Sequence, residues 1–345
     1  MSGQIAAGMG MAVDLCNRKG GLAGERVHLE LADHGFDQRR AREAVAALCA
    51  SKIPLAFVGS VGSAPNLAVL SELERRQIPN LFPLAAAAAL YEPPHPLRYA
   101  HTPSYFLQME AAARYVVVKL GASRVGVICQ DDAFGDEVLA GTISGLADEH
   151  ASVLVEERIR VGQADAVRAI DAIEAADCDW VLLGTMLKDT VSLLREARDR
   201  GLRARFLGSI STHTELMQSL GGTYAEDFWS VATSEIPNRE TADEDLRIWQ
   251  QEYEQTVGSF PGAYSVHGFL SMRHVLTAAS RVRGTISARS LCKVLESTTL
   301  DGSPFGGDLL HFAPDSHLGS RRVRLASIQN RHWVNMTGYI GACGS

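Results

Sequence analysis

Short apolar runs alternate with longer stretches of helical spacing along most of this chain. Val27, Leu29 and Leu31 alternate with His28 and Glu30, which predicts a half-buried strand over 27–31. Residues 10–17 read as the end of a helix stopped by Gly20 and Gly21, and Asp37 as the cap of a second that runs to about Ala50 with Val45 and Leu48 turned inward. A buried strand over 55–58 leads into the loop Gly59-Ser60-Val61-Gly62-Ser63. A helix to Arg76, a strand over 80–82 and a loop over 83–94 follow. After Tyr105 the rhythm restarts: a helix to Leu120, a strand over 125–129, the loop Gln130-Asp131-Asp132-Ala133-Phe134-Gly135, a helix to about His150, a strand over 153–155 and a helix over 165–176. A buried strand over 180–183 ends in Gly184-Thr185-Met186. A helix to Arg200 then precedes a strand over 205–207 and the loop Gly208-Ser209-Ile210-Ser211. Residues 242–297 are mainly helical in pattern, and 309–334 return to alternation.

Two successive βα series of this kind predict two open, mainly parallel sheets with loops at the carboxyl ends of their strands, where such sheets bind ligands. Two units facing each other would make a cleft. The length of 345 residues suits two domains better than one core. With 46% hydrophobic residues the chain is not disordered, and 33 Lys and Arg against 40 Asp and Glu leave a net charge of -7 without a basic stripe for nucleic acid. No apolar run reaches the roughly 18–20 residues of a membrane helix. Six cysteines occur without a CxxC pair, so a structural zinc site is not expected. Cys129, in an apolar run, reads as a buried free thiol. The stretch Met1-Ser2-Gly3-Gln4-Ile5 is not a signal peptide, which taken literally places the chain in the cytoplasm.

Candidate chemistry is confined to loops. Gly59 to Ala64 carries two hydroxyls and two glycines between a strand and a helix. It reads either as a carboxylate site at a helix start or as an ordinary capped turn. It has neither GxGxxG nor P-loop spacing, and neither a GxSxG elbow nor an HExxH helix occurs. His311 and His317 read as surface residues, and Asp131 with Asp132 as turn and capping residues. No catalytic, cofactor or metal site is predicted. The small residues from Ala85 to Ala89 either start a helix or let a ligand approach the backbone; Tyr105 and Phe134 are cleft aromatics or core.

The order of these motifs resembles the type I periplasmic solute-binding proteins, and within them the branched-chain amino-acid (Leu/Ile/Val) group of ABC importers. Asn17 with Gly20-Gly21 and Gly24 to Val27 is similar to that family's N-x-x-G-G-x-x-G-x-x-[IV] stretch. Asp33 falls at its acidic position after the second strand, and Val58 to Ser63 resembles its first ligand loop. Asp131 to Gly135 resembles its Asp-x-x-[YF]-G segment, and Leu194 to Leu202 its L-R-x-A-R-x-x-G-L helix end. The resemblance implies an α/β fold of two doubly wound, Rossmann-like lobes joined by three crossing segments near 101–105, 234–239 and 304–313. Lobe 1 would comprise 1–103 and 236–305, and lobe 2 104–235 and 306–345. It implies a non-catalytic, cofactor-free trap for a small molecule, with Ser60, Val61, Gly62, Ser63, Ala85 and Ala86 from lobe 1. Tyr105, Phe134, Thr185, Met186, Ser209 and Ile210 would come from lobe 2.

Two departures carry further expectations. Relatives begin with a buried strand before the segment matching Ser2-Gly3, so the first strand of lobe 1 is expected to be missing here, with a true start upstream and a signal peptide. A periplasmic component working with an ABC permease is then expected; the alternative is a cytoplasmic ligand sensor of the same fold. Relatives also hold an amino acid's ammonium with an acidic residue where this chain has Ile210, and the hydroxyl of their second loop falls on Ala86. The implied ligand is a small carboxylate or amino-acid-like molecule, that is an amino acid, an amide or an aliphatic or aromatic carboxylate; because a buried ammonium without a carboxylate is costly, the departures point to one that lacks the α-ammonium.

Overall fold

The computed structural model describes residues 2–147, 149–162 and 165–341, which form two compact units. Unit 1 takes residues up to Thr102 and Ile236–Ser320; unit 2 takes Pro103–Glu235 and the chain from Arg321 onward. Cys343 lies outside the described residues.

In unit 1 the chain forms α1 (Ser2–Arg18), α2 (Gln38–Ser51), β1 (Phe57–Val58), α3 (Ser63–Arg75), β2 (Asn80–Leu81) and β3 (Arg98–Tyr99). Returning from unit 2, it adds α9 (Glu244–Val257), α10 (Ala263–Ser280) and α11 (Ala288–Leu295). The sheet is short and parallel, in the order β1-β2-β3, with Val58 paired to Leu81 and Leu81 to Tyr99. Period two divides its residues between layers: Phe57 joins α2 and α3 through Val45, Leu73 and Ile78, whereas Val58 packs with Met9 of α1 and Phe269 of α10. Helices α1 and α10 meet with backbones in near contact. A Cβ on Gly8 would lie 2.1 Å from the Ser265 carbonyl oxygen, and one on Gly268 2.2 Å from that of Ile5.

Unit 2 contains α4 (Tyr105–Leu120), β4 (Val125–Gln130), α5 (Ala133–Ala147), β5 (Val153–Ile159), α6 (Ala166–Ala175), β6 (Trp180–Gly184), α7 (Leu187–Asp199) and β7 (Arg205–Gly208). It continues through α8 (Glu215–Gly221), β8 (Trp229–Ala232), β9 (Arg322–Gln329), β10 (His332–Asn335) and β11 (Ile340–Gly341). The sheet order is β5-β4-β6-β7-β8-β9-β10, parallel as far as β8, with β11 also paired to β9. The central strands β4 and β6 are covered on both faces and are continuous apolar runs, whereas the edge strand β5 alternates. Val127, Leu182 and Leu207 face α4 and α5, while Ile128, Val181 and Phe206 face α6, α7 and α8.

Several expectations need correction. Residues 27–31 join no ladder; Asn17 holds Val27 instead, accepting from its N–H at 2.8 Å and donating to its carbonyl at 2.9 Å. The strands over 55–58 and 80–82 shrink to two residues each, and β3, α8 and β8 went unread. The expected last crossing near 304–313 lies at 320/321, because Leu310, Phe312 and Leu318 belong to unit 1: the first two pack with Leu81 and Tyr99, and Ala100 donates to the His317 carbonyl. His317 is not a surface residue: it is buried, stacked on Tyr99 at 4.2 Å, with Nδ1 2.7 Å from the His95 carbonyl oxygen. Cys49, Cys129, Cys178 and Cys292 are buried and free; desolvation pushes the Cys129 thiol up to about 12 and the Cys178 thiol to about 11. No described helix is long and apolar enough to cross a membrane.

Candidate ligand-binding loops

In unit 1 the first loop leaves the carboxyl end of β1. Gly59 has φ +60°, the left-handed region that favours glycine, and a Cβ there would have to displace the Met9 methyl of α1. Gly62 precedes α3 at φ +86° without a capping side chain. The first turn of α3 therefore presents the N–H groups of Ser63 and Ala64 without protein partners among the described residues, and Pro65 has no N–H to offer. The second loop is tied to the first. Leu84 N–H donates to the Ser60 carbonyl at 2.9 Å, and Gly62 N–H to the Leu84 carbonyl at 3.0 Å. This brings Ser60, Val61, Gly62 and Ser63, all half-buried, beside Ala85 and Ala86, which are buried with no bulk between backbone and surroundings. The run of alanines starts only a single 3-10 turn, Ala88–Leu90.

A buried carboxamide fixes this arrangement. Asn66 Nδ2 donates to the carbonyls of Ser60 (2.9 Å) and Gly62 (2.7 Å), while its Oδ1 accepts from Asn80 Nδ2 at 3.3 Å. Sequence reading passed over Asn66; its signal was a residue of poor helix propensity in the first turn of a predicted helix.

In unit 2 the loops leave the carboxyl ends of the adjacent strands β4, β6 and β7. Tyr105 opens α4 and meets Phe134 edge to face at 4.4 Å, both half-buried. Asp132 accepts from the N–H groups of Phe134 and Gly135 at 3.1 Å each, the capping role predicted for it. Met186 is exposed, whereas the buried Thr185 hydroxyl is engaged by Thr190 at 2.6 Å. Ser209 is buried, its hydroxyl 2.8 Å from that of Ser211; Ile210 is half-buried. The structure thus groups all these residues at one edge of the sheet, with Met186, Ile210, Tyr105 and Phe134 as its accessible members. A second buried carboxamide was missed: Gln108 accepts from Ile210 N–H at 3.0 Å and donates to the Pro103 carbonyl at 2.8 Å. Nothing in its sequence position announces this, since the partner is 102 residues away.

None of the loops 59–63, 84–86, 185–186 and 208–211 contains an acidic residue, and no metal-binding group of His, Cys, Asp or Glu occurs among the described residues. What these edges can do is bind: free helix N–H groups and hydroxyls on one unit, an apolar and aromatic set on the other.

A family model described as periplasmic binding protein matches residues 1–332, and the chain belongs to that family. The fold is that of type I periplasmic binding proteins, α/β with parallel sheets. It is 24% identical over 233 residues to the Leu/Ile/Val-binding protein of Escherichia coli K12, a match covering 66% of this chain and 63% of the relative. Among solved structures, a branched-chain amino-acid ABC transporter protein from Thermus thermophilus with bound valine superposes with a TM-score of 0.86 at 16% identity, covering 99% of this chain and 92% of the other. A fatty acid ABC transporter substrate-binding protein from Thermomonospora curvata superposes with a TM-score of 0.85 at 16% identity, covering 99% and 88%. The named relatives are binding proteins rather than enzymes.

Proposed function

We propose that this chain is the solute-binding component of an ABC importer of the branched-chain amino-acid type, working outside the cytoplasmic membrane with a permease. Its ligand carries a carboxylate or carboxamide head group and lacks the α-ammonium of an amino acid. In this reading unit 1 receives the head group at Ser60, Ser63 and the first turn of α3, beside Ala85 and Ala86. On unit 2, Tyr105, Phe134, Met186 and Ile210 form an apolar and aromatic surface suited to a ligand's body. The observation that carries it is the free N–H pair of Ser63 and Ala64 combined with ligand loops devoid of acidic side chains. A helix N-terminus favours a negative oxygen, and a desolvated ammonium would find no carboxylate in those loops.

A thermal-shift screen of the purified chain against leucine, valine, hexanoate, benzoate and their amides tests this. Hexanoate, benzoate or an amide is expected to raise the melting temperature while leucine and valine do not. A shift with leucine or valine alone overturns the ligand class. Replacing Ser60 and Ser63 together by Ala is expected to lower the affinity for the active compound about tenfold, the loss of one or two hydrogen bonds to a charged group. Cell fractionation of the native host tests the location.

A further inference from the structure

His101 stands two residues beyond the Leu81–Tyr99 pair of β2 and β3. The same register runs through Val58–Leu81 and Val61–Leu84, which puts His101 level with Pro83 and Ser60, at the edge from which the ligand loops of unit 1 leave. Its ring lies parallel to that of Phe82, 5.4 Å between centroids, and perpendicular to that of His267 on α10. The two Nε2 atoms are 3.3 Å apart. His267 is buried and His101 half-buried.

A contact of this kind holds one proton. One ring must be the Nε2–H tautomer and the other must accept with a bare Nε2, so the acceptor carries its proton on Nδ1. Neither Nδ1 has a hydrogen-bond partner among the described residues. The neutral pair therefore displays one N–H donor and one bare nitrogen. Adding a single proton turns both Nδ1 atoms into donors, leaves the Nε2–H···Nε2 bond intact and gives the pair a positive charge.

We propose that the His101–His267 pair is a proton-linked head-group subsite of unit 1, which takes a carboxamide when neutral and a carboxylate together with one proton from solvent. This rests on the reading of unit 1 as the head-group side. Without ligand, burial keeps both rings neutral: His101 is held well below the ordinary imidazole range and His267 is pushed down to about 4. The neighbouring titratable group is His274 on α10, which opposes a positive charge on His101 and is itself opposed by Arg273 and favoured by Asp301, whose carbonyl oxygen lies 3.2 Å from His274 Nε2. A carboxylate brought to the pair supplies the missing counter-charge and raises its proton affinity. An amide supplies none.

Isothermal titration of the full chain with hexanoate, hexanamide and leucine at pH 5.5, 6.5 and 7.5, in two buffers of different ionisation enthalpy, tests the assignment. Hexanoate affinity is expected to rise towards tenfold for each unit that pH falls, with uptake approaching one proton. Hexanamide affinity is expected to stay level with no uptake. His101→Gln and, separately, His267→Gln abolish the hexanoate slope. A pH-independent hexanoate affinity, or a slope that persists in both variants, overturns the subsite. Binding of leucine in place of hexanoate overturns the ligand class alone, and the pair is then judged by the slope and variants with leucine. No binding by any of the three overturns both. Independently of ligand, nitrogen-15 spectra of the histidines are expected to show opposite tautomers for His101 and His267; identical tautomers overturn the assignment.

Discussion

The sheet of unit 2 has strands up to eight residues long and apolar layers on both faces, whereas unit 1 rests on three two-residue strands and a close pair of helices. In unit 2 the backbone ladder itself aligns the loops after β4, β6 and β7. Unit 1 has little ladder, and side chains take over: Asn17 holds the stretch at Val27, Asn66 with Asn80 ties the loops after β1 and β2, and the His317 ring binds the segment before β9 to Tyr99 of β3 and to the His95 carbonyl. The comparison teaches that two similar loop-bearing sheet edges are built by different means, and that unit 1 holds more of the buried histidines: His267, His274 and His317 against His213 in unit 2.

Acid exposes this difference most. Burial pushes His267 and His274 of unit 1 down to about 4 and holds His101 well below its ordinary value, while His213 of unit 2 is pushed down to about 3. Unfolded imidazoles bind protons below about pH 6.5, but these folded rings do not, so stability is present above that pH and is lost as pH falls towards 4. His267 and His274 are each expected to contribute a loss on the order of 2–3 kcal/mol by pH 4. Segment-resolved hydrogen exchange between pH 7 and 4.5 is expected to show residues 263–280 opening before 180–184. His274→Leu, which also removes an Nδ1 sealed without a partner, is expected to flatten that dependence. Unit 2 opening first would break the comparison.

Next in size are the close helix contacts, which the units share. Gly8→Val in α1 drives a side chain into the Ser265 carbonyl, and Gly141→Val in α5 into that of Phe106, where a Cβ would sit 2.2 Å away. Each is expected to cost about 3 kcal/mol in denaturant unfolding. Gly10→Ala is the control: nothing lies within 4 Å of its Cβ position, and helix propensity predicts a gain of about 0.5–1 kcal/mol.

The two carboxamides sharpen the comparison further. Asn66→Ala removes one of the two donors to each of the Ser60 and Gly62 carbonyls and leaves Asn80 Nδ2 without its acceptor in unit 1, and Gln108→Ala orphans Ile210 N–H in unit 2. Each is expected to cost about 2 kcal/mol. Calorimetry with the active ligand is expected to show weaker head-group binding for Asn66→Ala. Smallest are the helix caps. Ser287→Ala in unit 1 and Ser104→Ala in unit 2 remove bonds to Ser290 N–H and Leu107 N–H, and about 1 kcal/mol is expected from each by urea unfolding.

Much of this was written locally. Continuous apolar runs such as 125–129 and 180–183 predicted β4 and β6 because both sheet faces needed apolar cover. Asp37, Asp132 and Asp165 marked helix starts because their carboxylates satisfy N–H groups two or three residues away. The order of glycine-rich loops after strands pointed to the family and to the stretches that could face a ligand. Tertiary structure alone decided the rest. Residues 27–31 carry a strand pattern yet form no ladder, since alternation records which side chains are buried, not whether a backbone partner is present. It likewise decided that Thr185 and Ser209 would spend their hydroxyls inside the protein, that 306–320 would return to unit 1, and that His101 would meet His267 across 166 residues of chain. A local pattern specifies which face of an element is apolar; which distant atoms satisfy its polar groups depends on the completed packing.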